Sequence, residues 1–194
     1  MSVLLVVLAY LAGSIPTGVL LGRVAGVDVR TQGSGNIGAT NVARTAGRKL
    51  GILTLVGDAL KGLVPVVVAR ALGLGPSGVA GVAVAALCGH VFSIFLAFRG
   101  GKGVATGVGV LLALAPAAVP ISLGVFIVSM ALSRIVSLSS ILASLTAPLA
   151  IVLLDYPRPI AWAAVVIAAI IVARHHENIS RLVAGTEQRF ETKR

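Results

Sequence analysis

Long apolar runs alternate with short polar segments rich in glycine along this chain. The first run, residues 3–21, carries no charge, is loosened in its second half by Gly13, Pro16 and Gly18, and is followed by Arg23. A polar stretch over 23–49 leads to a second run at 50–69, and the turn GLGPSG at 73–78 leads to a third at 79–98. Further runs lie at 135–154 and 160–173. An α-helix needs about 20 predominantly apolar residues to cross the hydrocarbon core of a bilayer, so these runs predict membrane-spanning helices, the last of them short.

The stretch ahead of residue 135 decides the topology. Residues 104–133 are 30 consecutive uncharged positions, more than one span requires, with Pro116 and Pro120 near the centre. Read as one helix, they send Arg134 and the basic tail to the outer side. Read as a proline hairpin, they give two short spans, 102–115 and 118–133, and return Arg134 to the inner side. Basic residues concentrate in cytoplasmic loops, and the hairpin satisfies that rule. It puts Arg23, Arg30, Arg44, Arg48, Lys49, Arg99, Lys102, Arg134, Arg174, Arg181, Arg189, Lys193 and Arg194 inside, only Arg70 and Arg158 outside, and Lys61 within a span. The expected fold is therefore an all-α integral membrane protein. It is a compact bundle of about seven short transmembrane helices, with the N-terminus outside and the C-terminus cytoplasmic. The shortest spans should tilt little or sit where the bilayer thins.

Composition agrees with this pattern. The 194 residues are 57% hydrophobic and 11% charged, whereas soluble domains run about 25% charged. This length leaves no room for a second, soluble domain, so a single membrane domain over 1–194 is expected. The net charge of +10 would suit nucleic acid, but aromatic content is 4% and the basic residues are scattered between apolar runs. Stacking platforms for bases are thus missing, and no nucleic-acid partner is expected. Cys88 is the only cysteine and lies in an apolar run, which leaves neither a disulfide framework nor a thiolate metal site. A cleaved signal peptide would carry its positive charge ahead of the apolar region; here Arg23 follows it.

Four polar pieces fall on the inner side of this topology: 33–44, 100–106, the serines at 137–140, read as a bend, and 174–181. The first, GSGNIGATNVAR, contains Gly33, Gly35 and Gly38 in G-x-G-x-x-G spacing, with Asp58 twenty positions further on. The dinucleotide reading fails, because that fingerprint joins a strand to a helix in an alternating βαβ chain. An anion-binding turn or a plain glycine-rich turn remains. Glycines let backbone N–H groups approach an anion closely, and Asn36, Thr40 and Asn41 add neutral hydrogen-bonding groups.

The second piece, GGKGVAT, departs from the ATP-binding P-loop because Gly103 stands where Ser or Thr should follow Lys102. Lys102 still offers a point charge beside free amides at the start of a span; a basic anchoring loop is the other reading. In the last piece His175 and Asn178 share a helix face, while Glu177 and Arg181, four apart, should brace the helix. The adjacent His175 and His176 lack zinc-site spacing, and no G-x-S-x-G elbow or other covalent nucleophile is evident. Within the spans, Asp58 and Lys61 share a face, either as a neutralising pair or as site lining. His90 either bonds a neighbouring helix or serves chemistry.

At these residues the chain resembles the bacterial membrane glycerol-3-phosphate acyltransferases that use acyl phosphate as donor, the PlsY family. The likeness covers nearly the whole chain: GSIPTG at 13–18, GSGNIGATNVAR at 33–44, DALKG at 58–62, GHVFSIF leading to RGGKGVAT over 89–106, and HHENISRL at 175–182. Ser93 departs from the family pattern, which usually has proline there, and a local change of helix shape is expected. Acyltransferases built on H-x-x-x-x-D are a different group, since five positions after His90, His175 and His176 stand Phe95, Ser180 and Arg181.

The resemblance implies transfer of a fatty acyl group from acyl phosphate to the 1-hydroxyl of sn-glycerol 3-phosphate, giving lysophosphatidate and phosphate. This is the first step of phospholipid synthesis, placed in the bacterial cytoplasmic (inner) membrane. The implied partners are glycerol 3-phosphate, fatty acyl phosphate and membrane lipid, with no metal, no other cofactor and no obligate protein partner evident. By the same resemblance Ser34, Asn36, Arg44, His175 and Asn178 are catalytic. Gly35, Thr40, Asn41, Gly100, Gly101, Lys102, Gly103, Thr106 and Ser140 bind substrate. Arg44 can clamp a phosphate through two N–H bonds, and Lys102, helped by Ser140, would hold glycerol phosphate. The acceptor of the hydroxyl proton stays open between a substrate phosphate oxygen and His175. A transporter of a phosphorylated solute is the alternative class, suited by polar helix breaks, Asp58 and Lys61. Placement of most polar pieces at one face speaks against it.

Overall fold

The computed structural model describes residues 1–190; Lys193 and Arg194, placed above on the inner side, lie outside the described residues. The chain forms two compact units, Met1–Leu114 and a second that begins at Ala115. The first holds α1 (Ser2–Ser14), α2 (Thr17–Val24), α3 (Ala39–Thr45), α4 (Arg48–Ala71), α5 (Pro76–Val91), a 3-10 turn at Ile94–Leu96, and α6 (Val104–Leu114). The second holds α7 (Ala118–Ser133), α8 (Val136–Leu153), α9 (Arg158–Ala173) and α10 (His176–Val183).

Among the described residues, four stretches are long and apolar enough to cross a membrane: Ser2–Val24, Arg48–Ala71, Pro76–Leu96 and Val136–Leu153. Arg158–Ala173 and His176–Val183, bent by 59°, make a fifth if taken as one broken span. The apolar α6 and α7 are shorter, 11 and 16 residues. The all-helical membrane architecture is thus as expected, and the break anticipated near Pro116 separates α6 from α7. Large apolar side chains such as Leu4, Leu149, Leu153 and Trp162 face outward, the surface that lipid rather than water accommodates.

In the first unit, small residues let helix backbones touch. A methyl built on Gly13 would lie 2.1 Å from the Ala86 carbonyl oxygen, and one on Gly89 2.1 Å from that of Tyr10, which seats α1 on α5. Gly62 and Gly109 do the same for α4 and α6, against the carbonyls of Thr106 and Ala59. Close backbone approach through small residues is the usual means of helix association where lipid removes the hydrophobic drive.

The third apolar run is not one continuous helix. α5 ends at Val91, and the chain turns back through Ala97 and Phe98, both at positive φ. Ser93 lies just beyond the helix end, buried, and its hydroxyl donates to the Ser14 carbonyl at 2.6 Å. The first run breaks at Ile15 and Pro16, in the half that Gly13, Pro16 and Gly18 were expected to loosen.

In the second unit α8 packs against both α7 and α9. The serines at 137–140 lie within α8 rather than in a bend. Ser139 and Ser140 donate their hydroxyls to the carbonyls of Ile135 and Val136, four residues back, which lets a helix absorb polar side chains without breaking. The backbone N–H of Phe190 donates to the Arg134 carbonyl at 2.6 Å, so the tail runs back to the turn between α7 and α8.

Candidate functional site

In the first unit the glycine-rich segment is organised by the side chain of Asn41. This residue is buried in α3; its amide nitrogen donates to the carbonyls of Val29 (2.9 Å), Gln32 (3.1 Å) and Asn36 (2.8 Å), and its oxygen accepts the N–H of Ser34 (2.9 Å). Gly33 must lack a side chain here: its φ is +60°, and a methyl would stand 2.3 Å from the Asn41 oxygen. Asn36 is likewise turned to the loop, accepting the Gly38 N–H at 2.8 Å. These two amides therefore build the segment, while Ser34, Gly35, Thr40 and Arg44 lie on its exposed side.

Arg30 is committed elsewhere. Its Nε and one terminal nitrogen reach Asp28 at 2.9 and 2.8 Å. The hydrogen bonds from Arg30, side chain first and then backbone, pull the Asp28 carboxyl down to about 2.

Beneath this loop Val19, Val29, Ile37 and Val42 form a buried apolar cluster, against which Val27, Ala46, Leu50 and Leu96 pack. Leu96 belongs to the 3-10 turn that leads into Arg99 and the second glycine loop. The two polar segments of this unit thus share one apolar anchor.

The second loop is fastened to the end of α5. Gly100 N–H donates to the Val91 carbonyl at 3.0 Å and Gly101 N–H to that of His90 at 3.2 Å. Gly103, at φ +84°, turns the chain into α6. Lys102 is half-buried between them. Thr106 is fully buried with its backbone carbonyl against Gly62, so it packs on α4.

Against this loop lies a cluster of buried ionisable side chains. Lys61 Nζ is 2.8 Å from Asp58 Oδ1 and donates to the Ile15 carbonyl at 2.8 Å, at the break between α1 and α2. His90 Nδ1 stands 3.7 Å from the same Asp58 oxygen. Asp58 is ten residues after Arg48, about 15 Å along α4 at 1.5 Å per residue. The second loop is accordingly recessed alongside the body of α4, deeper than a loop at the rim of the bundle.

In the second unit His175 and Asn178 are buried at the bend between α9 and α10. His175 ends the α9 connection rather than sitting inside α10. Its Nδ1 lies 2.7 Å from the Ile171 carbonyl. A carbonyl only accepts, so Nδ1 is the donor and carries a proton.

Asn178 donates to Glu187, whose carboxylate also accepts the Ser137 hydroxyl and the Arg181 Nε, each at 2.6 Å. Arg181 therefore pairs with Glu187 and not with Glu177 as the helical spacing had indicated. Burial pushes the Glu187 carboxyl upward, but the bonds from Ser137, Asn178 and Arg181 outweigh it and hold the group below its ordinary value. Glu187 was not a sequence candidate; it sits in a short polar tail where no periodicity marks it.

A family model described as glycerol-3-phosphate acyltransferase matches residues 3–185. Among curated relatives, the glycerol-3-phosphate acyltransferase of Trichlorobacter lovleyi is 58% identical over 183 residues, 94% of each chain. That of Geobacter sulfurreducens is 53% identical over 188 residues, 97% of each chain. The fold matches a crystal structure of PlsY, an integral membrane glycerol 3-phosphate acyltransferase in its glycerol 3-phosphate form, with a TM-score of 0.95 and 42% identity over 98% of this chain and 96% of that one. The lysophosphatidic acid form of PlsY matches with a TM-score of 0.93 and 41% identity over the same shares.

Proposed function

The chain belongs to the glycerol-3-phosphate acyltransferase family, and on that premise we propose that it moves a fatty acyl group from an acyl phosphate to the 1-hydroxyl of sn-glycerol 3-phosphate. The products are lysophosphatidate and inorganic phosphate. The observation that carries the reading is the shared apolar anchor under two glycine-rich loops, one offering Ser34, Thr40 and Arg44 and the other Lys102. Both substrates carry phosphate, and clustered cations beside glycine backbone are what phosphate recognition calls for.

In this reaction the hydroxyl oxygen bonds to the acyl carbon, and the bond from that carbon to the phosphate oxygen breaks. Phosphate leaves with the electron pair. Acyl phosphate is already an activated mixed anhydride, so positioning and stabilisation of developing charge are what the protein must supply. Arg44 and Lys102 hold phosphate groups, with Ser34, Gly35, Thr40, Gly100 and Gly103 around them. Asn36 and Asn41 set the loop. Ser140, His175 and Asn178 take part in the reaction as the family resemblance implies. The hydroxyl proton passes to a phosphate oxygen of the substrate, with Nε2 of His175 as the competing acceptor. We place the protein in the bacterial inner membrane, N-terminus outside and C-terminus in the cytoplasm, where glycerol 3-phosphate is met from water and the acyl chain from the bilayer.

Purified protein in detergent or lipid, given palmitoyl phosphate and glycerol 3-phosphate, should release phosphate and lysophosphatidate in equal amounts. Release of phosphate without the ester product, or no release, would refute the assignment. A His175→Gln protein that keeps most of its kcat, beside Lys102→Ala and Arg44→Ala proteins that lose theirs, favours transfer to the substrate phosphate; loss confined to His175→Gln favours the histidine.

A further inference from the structure

We propose that Asp58, Lys61 and His90 are positioning residues, a buried polar cluster that fixes the backbone of Gly100 and Gly101 and thereby the placement of Lys102 toward the phosphate of glycerol 3-phosphate. The inference rests on the phosphate-binding role of Lys102 given above. It starts from an energetic oddity: three ionisable side chains are 2%, 9% and 3% exposed inside an apolar bundle. Burying such groups costs free energy even when they are paired. The helices do not need them in order to meet, since α4 and α6 already interlock through Gly62 and Gly109.

What the cluster does touch is the second glycine loop. One ring nitrogen of His90 faces Asp58 at 3.7 Å. The opposite nitrogen, Nε2, lies where a methyl on Gly101 would come within 2.4 Å. The carbonyls of His90 and Val91 accept the N–H groups of Gly101 and Gly100. The loop is therefore held by the main chain of α5 and abutted by the Nε2 edge of the imidazole. Asp58 faces that imidazole across 3.7 Å, a charge contact longer than a hydrogen bond, and Lys61 holds Asp58 while its second bond, to the Ile15 carbonyl, ties the pair to the break in the first span. Lys102 follows Gly101 directly, so a rotation of the His90 ring displaces its backbone origin. None of the three side chains needs to meet the substrate for this.

Steady-state kinetics of the full chain with palmitoyl phosphate and glycerol 3-phosphate test the inference. Asp58→Asn and His90→Gln should raise the KM for glycerol 3-phosphate about tenfold, with kcat and the KM for palmitoyl phosphate within about threefold of wild type, the pattern of lost ground-state binding. Gly101→Ala should do the same. Combined with His90→Ala it should cost nothing more than His90→Ala alone, because the shortened side chain makes room for the methyl. An unmoved glycerol 3-phosphate KM, a parallel rise in both KM values, or independent effects of His90→Ala and Gly101→Ala overturns the proposal. Should His90→Ala not fold, the Asp58→Asn and His90→Gln kinetics decide alone. Lys102→Ala separates the two levels. If it raises that KM while the cluster variants do not, only the positioning role fails; if it leaves both kcat and that KM unchanged, the phosphate role and this inference fail together.

Discussion

Glu187 takes the side-chain amide of Asn178 and the hydroxyl of Ser137 on a single carboxylate oxygen, Oε1, with Arg181 on the other. Asn178 and Ser137 are buried, so Glu187→Ala removes the acceptor on which both converge. Loss of such an acceptor costs about 1–3 kcal/mol, while the Arg181 pair, with the arginine side chain 41% exposed, adds little. Thermal denaturation in detergent should show a lower midpoint for Glu187→Ala and a smaller drop for Glu187→Gln, which keeps an acceptor. Equal midpoints for wild type and Glu187→Ala would mean that the tail carboxylate does not hold this end of the second unit.

The same carboxylate gives stability a pH dependence of defined sign. Its folded value lies below the ordinary one, so the folded state binds this proton less readily than the unfolded chain. The contribution is present above the unfolded value of about 4.3 and is lost as pH falls through the folded value. Melting midpoints of wild type and Glu187→Gln should therefore differ most at neutral pH and converge on acidification, as pH falls through the folded value. Asp28, also held low, is common to both proteins and cancels in the difference. A gap that widens on acidification contradicts the assignment.

The helices were legible because each apolar run is long and bounded by charge or by proline. The end of α5 was not: Ile94, Phe95, Leu96 and Phe98 continue the hydropathy of the run while the backbone has already turned. Of the candidate site, the glycine loops and Lys102 could be read from residue type, since cations beside glycines suit phosphate whatever the fold. The use made of Asn41 could not. An amide in a polar loop reads as a ligand group, and only the closed path through Val29, Gln32 and Asn36 shows it bonded to backbone. Arg181 followed a local spacing rule until a tertiary competitor took it: Glu187 is also held by Ser137 and Asn178, whereas Glu177 is exposed.

Backbone contact between α4 and α6 makes a steric prediction. Methyls at Gly62 and Gly109 would stand 2.2 and 1.9 Å from carbonyl oxygens, whereas Gly124 in α7 has nothing within 4 Å. Gly62→Ala and Gly109→Ala should each destabilise by about 1–3 kcal/mol or more through forced backbone shifts. Gly124→Ala should be neutral or stabilising by up to about 1 kcal/mol, since alanine is the better helix former. Melting of the three variants side by side in one detergent checks this. Equal effects at all three positions would deny that α4 and α6 meet through their backbones.

Asn41 offers the sharpest separation between building the loop and binding the substrate. Its two ends satisfy three carbonyls and one N–H, all within residues 29–36. Asn41→Ala abandons these groups, at about 1–3 kcal/mol for a buried unsatisfied set, so the loop that carries Ser34 should lose its fixed path. Asn41→Asp, though nearly the same shape, puts a second acceptor against three carbonyl oxygens and should be at least as damaging. Both variants should therefore become sensitive to limited proteolysis between residues 29 and 38 and lose roughly tenfold to a hundredfold in kcat/KM, at about 1.4 kcal/mol per factor of ten. An Asn41→Ala protein whose loop stays protease-resistant, and whose only change is a higher KM for glycerol 3-phosphate, would instead assign Asn41 to direct substrate contact.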